Sequence, residues 1–507
     1  MQRHARAAGL RALAGLFVLL SSTGCAVLSR ASDARSAFTG DPGVAGRTAL
    51  SADGRYAAYA VGADAGLPGH ASMVVRRDNA EQTIQRVDVL ADGTRADMRS
   101  TEPAISADGR YVAFTSSAEN LVPNDENTFD DVFVRDMVSG MIERVSVASD
   151  GTEADLDSYA PSISADGRFV AFTSDSDLLQ PDDENSSSDI FVRDRIAHVT
   201  SLVSVGPDGT PTDYGAWDGV ISGDGLHVAF TTDTDWALTD ENSSEDVYVR
   251  DIALSHTRRI TVTTTQMDGG GSPSLSFDGH VTAFIADSGD VYVRDVGGGG
   301  LLRVNLGTTA TALGDSPALS ADGRFVAWTS AGNASGTDTN GTKFDIFIRD
   351  RLNNVTTIGS TQNSLTQLPV DSFAPAISAD GAYLAWTSRG AFDAADTNGI
   401  NDVYVRALAV PTISSVTPAV VTRGTTTSLT VRGRGFATTV MALVGSPGSG
   451  IVVNGATRIS DGQVVLAVTI PPSAPVGGHP IGILNGGTGL GLLAGAAARC
   501  DACLTVT

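Results

Sequence analysis

The chain is dominated by an internal repeat, in which the tetrad Ser-Ala-Asp-Gly or a close variant recurs seven times. Successive tetrads are separated by 44 to 58 residues, and their aspartates are Asp53, Asp108, Asp166, Asp224, Asp278, Asp322 and Asp380. A period of this length is typical of a fold built from one supersecondary unit. The seven copies occupy residues 41–408, which leaves only the two ends of the chain for other structures.

Each unit has the pattern of short strands around a tight turn. The second unit predicts four of them, Pro103–Ser106, Arg110–Ser116, Asp131–Asp136 and Glu143–Val147. Gly109 supplies the positive φ that such a hairpin turn requires. The strands are rich in β-branched and aromatic residues and alternate little, as expected of sheets covered on both faces. Seven such four-stranded sheets predict an all-β fold with a seven-bladed β-propeller over residues 41–408, whose ring closure protects the strand edges.

The seventh unit lacks an evident fourth strand, since the pattern stops after Asp402–Arg406. Propellers close their ring when a strand from the other terminus completes the last sheet. We therefore expect the segment around Ser36–Gly40, in the linker of residues 26–40, to supply the missing strand.

Four copies carry a family resemblance: AISADGRYVAFTS (104–116), SISADGRFVAFTS (162–174), ALSADGRFVAWTS (318–330) and AISADGAYLAWTS (376–388). They resemble the WD40-like (PD40) repeats of TolB-like propellers, in particular the bacterial exported subgroup with a D-x-N loop before the third strand. The resemblance implies the propeller fold. It does not fix one function, because propellers of this kind serve as docking modules, as sugar-binding modules and as attachments to enzymes.

The repeat ends before a different domain over residues 410–507. PTISSVTPAVVTRGTTTSLTVRGRGF (411–436) and VVLAVTIPPSAPVGGHPIGILNGG (464–487) resemble the IPT/TIG immunoglobulin-like fold. β-rich segments separated by Gly, Pro and Ser turns independently favour an immunoglobulin-like β-sandwich. The resemblance implies a spacer or interaction module.

Residues 1–25 have the pattern of an export signal. Three arginines precede a short apolar core, Ala12–Leu20, and a run of small residues that ends at Cys25. This ending resembles a bacterial lipobox, which implies lipidation of Cys25, and Ala26 then favours outer-membrane sorting. Ser22 stands where the motif prefers Leu, so cleavage with release stays open. We expect an extracytoplasmic protein, lipid-anchored in the outer membrane or periplasm or else secreted, with no other membrane attachment.

The remaining two cysteines lie close together near the C-terminus. Cys500 and Cys503 are placed to form a disulfide, which suits an exported protein. A C-x-x-C pair also occurs in metal half-sites and redox sites, but no second half-site accompanies it.

Fifty-eight acidic residues against 34 basic ones give a net charge of −24. Such a surface repels phosphate backbones, so nucleic acid is not an expected partner.

Five units share a loop in which Asp-x-Asn is followed by the Asp that opens the third strand. Alternating carboxylate and amide oxygens in a tight loop are the ligands that Ca²⁺ prefers. The alternative is purely structural, because Asp and Asn also stabilise turns by bonding their own backbone. The candidate calcium ligands are Asp125, Asn127 and Asp131; Asp183, Asn185 and Asp189; Asp240, Asn242 and Asp246; Asp338, Asn340 and Asp345; and Asp396, Asn398 and Asp402.

The third strand of most units ends in an Arg-Asp pair, such as Arg135-Asp136. Because an active site needs asymmetry, a pair repeated around a ring indicates ties between strands or between blades. The residues that depart from the repeat are better candidates for a binding site. Those in or near the fourth unit are Tyr214, Trp217, His227 and Trp236, with ordinary packing as the alternative for each.

No catalytic motif is evident, since the sequence lacks a G-x-S-x-G elbow, an H-E-x-x-H helix motif and a P-loop. We therefore expect a non-catalytic binding or scaffold protein of the bacterial cell envelope, whose propeller docks a protein or an envelope glycan. The alternative is a polysaccharide hydrolase or lyase that uses carboxylates of the propeller channel.

Overall fold

The computed structural model describes residues 28–30, 48–62, 72–181, 183, 185–236, 244–261, 269–305, 315–336, 338–352, 354–362, 367–392, 400–408, 412–434, 436, 439–445, 449–460, 462–486 and 497–507. All regular secondary structure in this part of the chain is β-strand. None of the described residues belongs to a helix with the length and apolarity needed to span a bilayer.

The repeats form seven four-stranded antiparallel sheets, which we call units 1 to 7. In units 1 to 6 the strands follow one another in chain order. The strands are β1 (Leu28–Arg30), β2 (Ala49–Leu50), β3 (Tyr56–Val61), β4 (Met73–Asp78), β5 (Thr83–Arg86), β6 (Ser100–Ile105), β7 (Tyr111–Ser116), β8 (Asp131–Asp136), β9 (Ile142–Arg144), β10 (Ser158–Ile163), β11 (Phe169–Ser174), β12 (Asp189–Asp194), β13 (Val199–Leu202), β14 (Ala216–Ile221), β15 (His227–Thr232), β16 (Asp246–Asp251), β17 (His256–Arg259), β18 (Gly270–Leu275), β19 (Val281–Ala286), β20 (Val291–Asp295), β21 (Leu302–Arg303), β22 (Asp315–Leu319), β23 (Phe325–Ser330), β24 (Asp345–Asp350), β25 (Val355–Ile358), β26 (Ser372–Ile377), β27 (Tyr383–Ser388) and β28 (Asp402–Ala407).

Unit 7 takes its fourth strand from the N-terminal end of the chain. β1 pairs antiparallel with β28, with Leu28 opposite Arg406 and Arg30 opposite Tyr404. Closure by this end was expected, but at Ser36–Gly40, which lies outside the described residues. The pairing strand is an earlier segment, whose backbone supplies the hydrogen bonds that the outer edge of β28 otherwise lacks.

The seven units surround a common axis. The first strands of successive units contact one another from β2 through β26, and β26 in turn contacts β2. The same closure is visible in the core, where Ala57 and Tyr59 of unit 1 pack with Ala385 and Val405 of unit 7. The arrangement is that of a β-propeller, with the first strand of each sheet innermost.

One face of the propeller, which we call the turn face, carries the Asp-Gly turns between first and second strands. In units 1 to 6 each turn hydrogen-bonds to the turn of the next unit, as where the Ala107 N–H donates to the Ala165 carbonyl at 2.9 Å. A Cβ atom at Gly167 would lie only 2.3 Å from Cδ2 of Tyr111 in the preceding unit. A Cβ atom at Gly54 would lie equally close to Cδ2 of Tyr383, so the same packing connects unit 1 with unit 7. The glycine is therefore required by close packing as well as by its positive φ.

The opposite face, which we call the loop face, carries the loops between second and third strands and the links to the next unit. There the first residue of a unit bonds to the preceding unit, as where the Ser158 N–H donates to the Asp130 carbonyl at 2.6 Å. Each first strand except β2 shows a register shift near this face. The residues at these shifts have positive φ: Glu102, Ala160, Asp218, Ser272, Ser316 and Ala374.

The C-terminal region forms two four-stranded sheets, β29-β31-β34-β33 and β30-β36-β35-β32. One hydrophobic cluster joins them, since Leu429 and Leu466 of the first sheet pack with Ile481 and Leu504 of the second. A disulfide links Cys500 and Cys503, whose Cα atoms are 5.6 Å apart. The strands are β29 (Thr412–Thr417), β30 (Val420–Val421), β31 (Thr425–Arg434), β32 (Thr439–Val444), β33 (Val452–Ser460), β34 (Gln463–Ile470), β35 (Gly477–Gly486) and β36 (Ala497–Val506).

Candidate functional site

The Arg-Asp pairs that end the third strands stabilise the fold, but the two residues of a pair bind different partners rather than each other. Asp194 accepts hydrogen bonds from Nε and Nη2 of Arg168, at 3.0 and 2.6 Å, within its own unit. This arginine is the main reason that the pKa of Asp194 falls to about 2. Arg193 instead reaches back to the preceding unit, where its Nη1 donates to the Ala148 carbonyl at 3.2 Å. The pair thus stabilises one turn and one junction between units.

The strand-opening aspartates of the D-x-N loops share a structural role. In unit 3 the Ser204 hydroxyl donates to Oδ1 of Asp189 and accepts the Ile190 N–H at 3.0 Å. This arrangement connects the start of the third strand to the residues just after the fourth strand, while Oδ2 of Asp189 accepts a hydrogen bond from Nδ2 of Asn185 at 2.7 Å. Four units have it, through Asp131 and Ser146, Asp189 and Ser204, Asp246 and Thr261, and Asp345 and Ser360.

The asparagines of the loops also hold the backbone in place. Nδ2 of Asn185 donates to the Thr212 carbonyl at 2.7 Å, in the link to the next unit. Its Oδ1 accepts the Ser187 N–H at 2.7 Å, which is an Asx turn. Asn127 and Asn340 bond the corresponding links through the carbonyls of Ala154 and Leu368. The asparagines therefore fit the structural alternative raised by the sequence.

In unit 2 an arginine lies among the loop carboxylates. Nη1 of Arg144 is 3.1 Å from Oδ1 of Asp125 and 3.2 Å from Oδ2 of Asp131, and it also contacts Glu153. Oxygens of these three acids lie within 4.8 Å of one another, a spacing that suits a metal ion. Burial raises the pKa of Asp125 to about 7, and Arg144 opposes that shift. The guanidinium holds the position that a cation would take.

In unit 6 an amide replaces the arginine. Ile358 occupies the register of Arg144, opposite the third residue of the third strand. Nε2 of Gln367 instead donates to Oδ1 of Asp338 at 3.1 Å and to Oδ2 of Asp345 at 3.0 Å. Burial raises the pKa of Asp345 to about 6. A neutral donor thus bridges the two acids.

Unit 3 has neither bridge. Leu202 occupies the register of Arg144, and Pro211 occupies that of Glu153. Asp183 is only 5% exposed, and its Oδ1 has no hydrogen-bond partner among the described residues. Burial, followed by the charges of Asp189 and Asp177, raises the pKa of Asp183 to about 7. Within the part of the chain that the structure describes, this loop carries buried negative charge without a basic side chain to balance it.

Two predicted loops are only partly described. In unit 4, Oδ2 of Asp246 lies 2.6 Å from Nη2 of Arg259, which has the register of Arg144. In unit 7, Asp402 is buried. The other predicted ligands of these two units, Asp240, Asn242, Asp396 and Asn398, lie outside the described residues.

The loop face also carries side chains that differ among the units. The residue before the positive-φ position is Tyr159, Trp217 or Phe373 in three units, but Thr101 and Gly271 in two others. Trp217 is partly exposed and Phe373 is 40% exposed. Sequence reasoning singled out Trp217 but missed Tyr159 and Phe373, although their equivalent place in the repeat was a usable signal.

The other aromatic candidates of the fourth unit divide into two groups. Trp236 packs edge-on against Phe230 and Tyr248 in the core. His227 lies on the turn face, where its ring covers Gly279 and contacts His280. Both therefore have packing roles. Tyr214, in the link before β14, is 69% exposed and belongs to the loop face.

A second group of acids lies on the loop face between units 4 and 5. Burial raises the pKa of Glu245, and the charges of Asp287, Asp233 and Asp218 add to the shift. Asp218 occupies the positive-φ position of β14. A carboxyl whose pKa is raised by burial and by neighbouring acids is the arrangement from which general acids are built.

No protein-family model matches this chain, and no curated protein matches it in sequence. Solved structures with similar folds include TolB from Acinetobacter baumannii, at 18% identity and a TM-score of 0.37, covering 59% of this chain and 62% of that one. An oligogalacturonate lyase in complex with manganese is 12% identical, with a TM-score of 0.47 and 76% and 94% coverage. The Swd1 propeller domain from Myceliophteria thermophila is 11% identical, with a TM-score of 0.42 and 72% and 96% coverage. At these scores, the assignment as a propeller depends on the sheet order and the contacts between units.

Proposed function

We propose that the chain is an exported, non-catalytic binding or scaffold protein of the bacterial cell envelope. Its parts are a signal over residues 1–25 with lipidation at Cys25, a seven-bladed propeller over residues 41–408, and an IPT/TIG-like immunoglobulin domain over residues 410–507. Seven four-stranded sheets and the contact between units 1 and 7 support the seven-bladed ring. Two sheets around one apolar cluster support the C-terminal sandwich.

The observation that carries the proposal is the variation of one repeat position on the loop face. A residue that serves only the fold is repeated from unit to unit, as the Asp-Gly turn is. Tyr159, Trp217 and Phe373 depart from that rule where the innermost strands begin. Partly exposed aromatic rings stack on sugars and anchor protein interfaces. The central opening of the loop face is therefore the proposed docking site.

The neighbouring loops of the same face also carry exposed apolar side chains. Phe129 is 38% exposed, Leu156 41%, Leu178 51% and Tyr214 69%, and all four lie in loops or links of the loop face. The turn face exposes apolar side chains as well, such as Val138, Ile196 and Leu254, so the aromatic repeat position is what distinguishes the loop face. The proposed ligand is a protein or a polysaccharide of the cell envelope.

A binding screen tests this proposal. The mature chain from residue 25 onward is applied to an array of envelope glycans and, separately, to detergent-solubilised envelope proteins. Trp217→Ala should weaken the binding of any ligand found by about tenfold or more, as expected for an aromatic anchor. Ile196→Ala is the matched control, because Ile196 is 71% exposed but lies in a loop of the turn face. Equal binding by both variants, or no ligand in either screen, would contradict the proposal.

The acids around Glu245 favour one alternative, a polysaccharide hydrolase or lyase. A glycosidase needs one carboxyl that is protonated at neutral pH and a second that is ionised. Glu245, whose pKa is raised by burial, and Asp218, whose charge adds to that shift, are the candidate pair. Release of reducing or unsaturated ends from envelope polysaccharides, abolished by Glu245→Gln, would establish this alternative in place of the binding protein.

A further inference from the structure

We propose that the loop of unit 3 binds one divalent cation of the calcium type through Asp183 and Asp189. In the loops of units 2, 4 and 6, a side-chain N–H group takes the place of the cation. The proposal is independent of the ligand that docks on the loop face, because it concerns the metal alone.

The first observation is a buried oxygen without a partner. Asp183 is 5% exposed, and none of the described residues donates a hydrogen bond to its Oδ1. Leaving a buried carboxylate oxygen without a donor is unfavourable in an apolar setting, so such oxygens normally have a partner. Oδ1 of Asp177, a neighbour whose charge acts on Asp183, is likewise buried with no partner in the described part of the chain. Two such oxygens in one loop indicate a missing positive group.

The second observation is the comparison with the other units, which share the same backbone arrangement. Arg144 contacts both loop aspartates in unit 2, and Gln367 bridges both in unit 6. Arg259 contacts Asp246 in unit 4. In unit 3 the equivalent positions hold Leu202 and Pro211, neither of which can donate a side-chain hydrogen bond. The loop of unit 3 therefore has both aspartates but neither the Arg nor the Gln that bridges them in units 2 and 6.

The donor set decides the class of ion. Asp183 and Asp189 offer carboxylate oxygens, and neither the loop of residues 175–189 nor the link of residues 203–215 contains a His or Cys, which would favour zinc or copper. Oδ1 of Asp189 already accepts hydrogen bonds from Ser204 and Thr212. Its Oδ2 accepts one hydrogen bond, from Nδ2 of Asn185 at 2.7 Å, and offers its second lone pair to the ion. Two or three carboxylates completed by water form a weak calcium site. Extracytoplasmic modules of this kind have dissociation constants of about 10⁻⁴ to 10⁻³ M.

The test is calcium titration of the full mature chain after treatment with EDTA, followed by calorimetry and by terbium luminescence. Wild type should bind calcium in the millimolar range or tighter, and Asp183→Asn should lose one bound ion per chain. Leu202→Arg restores the guanidinium of unit 2 and should also abolish this site, while melting at or above the temperature of the calcium-free wild type. The matched control is Asp125→Asn in unit 2, which should bind as wild type does.

Three results would overturn the proposal. One is the absence of calcium binding at millimolar concentration, which would mean that Asp183 and Asp189 share a proton instead. Another is unchanged binding in Leu202→Arg, a variant that also decides the matter if Asp183→Asn fails to fold by circular dichroism. The last is loss of the ion from Asp125→Asn, which would assign the metal to unit 2.

Discussion

Gly167 satisfies two structural requirements of the repeat, a positive φ and close packing against a neighbouring ring. Its φ is +73°, in a region that other residues enter at a cost, and the Tyr111 ring of the preceding unit covers it. The contact explains why Tyr, Phe or another ring-sized group follows the turn in most units. It also gives the Asp-Gly corner a role between units that a hairpin alone would not need.

Replacing Gly167 with alanine should therefore destabilise the protein through both effects. The positive φ costs about 1 kcal/mol, and the clash with Tyr111 adds about 1–3 kcal/mol. Gly151→Ala is the matched control, because Gly151 has a φ of +91° but no atom of the described residues lies within 4 Å of the point that its Cβ would occupy. Urea unfolding should show a larger loss for Gly167→Ala. Equal losses for the two variants would contradict the packing of Tyr111 over the turn.

Asp125 provides a test of the buried acids by pH. Its folded pKa, about 7, lies above the ordinary value of 3.8, so the folded state binds a proton that the unfolded state releases. The contribution to stability is therefore fully present below about pH 4 and is lost as the pH rises through 7. Between about pH 8 and pH 5 in EDTA, wild type should gain melting temperature relative to Asp125→Asn as the pH falls. Parallel curves for the two proteins would contradict the raised pKa.

At the scale of elements, the sequence predicted the second and third strands of unit 2 to within one residue. The first strand, β6, begins three residues earlier than predicted, and the fourth, β9, ends three residues earlier. The closing strand also lies earlier in the chain than expected. β1 is short, and no hydrophobic alternation distinguishes it from the surrounding linker. A signal was nevertheless present, because Arg30-Ala31-Ser32 repeats the Arg144-Val145-Ser146 pattern of a fourth strand. Arg30 lies opposite Tyr404 just as Arg144 lies opposite Phe133. Comparison of all fourth strands would have found it.

The closing strand can be tested by stepwise truncation. A chain that starts at residue 33 lacks β1 and should melt several degrees below a chain that starts at residue 26, since the edge of β28 is left unpaired. A chain that starts at residue 43 should lose little more. If the loss appears only with the second truncation, then Ser36–Gly40 closes the ring, as the sequence pattern suggested.

The D-x-N motif alone could not distinguish one loop from another. The motif is nearly identical in five units, so by itself it predicts five equal sites. What separates the loops is the residue that the fold brings to them from the fourth strand or the next link, such as Arg144, Gln367 or Leu202. Those partners lie many residues away, and their relevance follows only from the strand register. The motif thus indicated cation ligands, whereas the strand register determines in which unit those ligands lack a side-chain partner.

At the scale of the whole molecule, the proposed docking site depends on closure of the ring. Closure brings the beginnings of the innermost strands together on the loop face, and Tyr159, Trp217 and Phe373 lie in three of these strands. The sequence anticipated the ring from the repeat alone, because four-stranded sheets covered on both faces need neighbours on each side. The sequence could not show which side chains lie at the proposed docking site, since their positions depend on the register shift in each first strand.

A disulfide cross-link tests ring closure most directly. Ser29 pairs with Val405, so cysteines at these two positions, in a chain that also carries Cys25→Ser, lie within disulfide reach across the strands. Oxidation should link them, as seen by mass spectrometry of peptides, and should raise the melting temperature. The control joins position 29 to position 134, because Val134 has the same place in unit 2 and should not react. Failure of the 29–405 link to form, or equal yield in the control, would contradict a ring closed by the N-terminal strand.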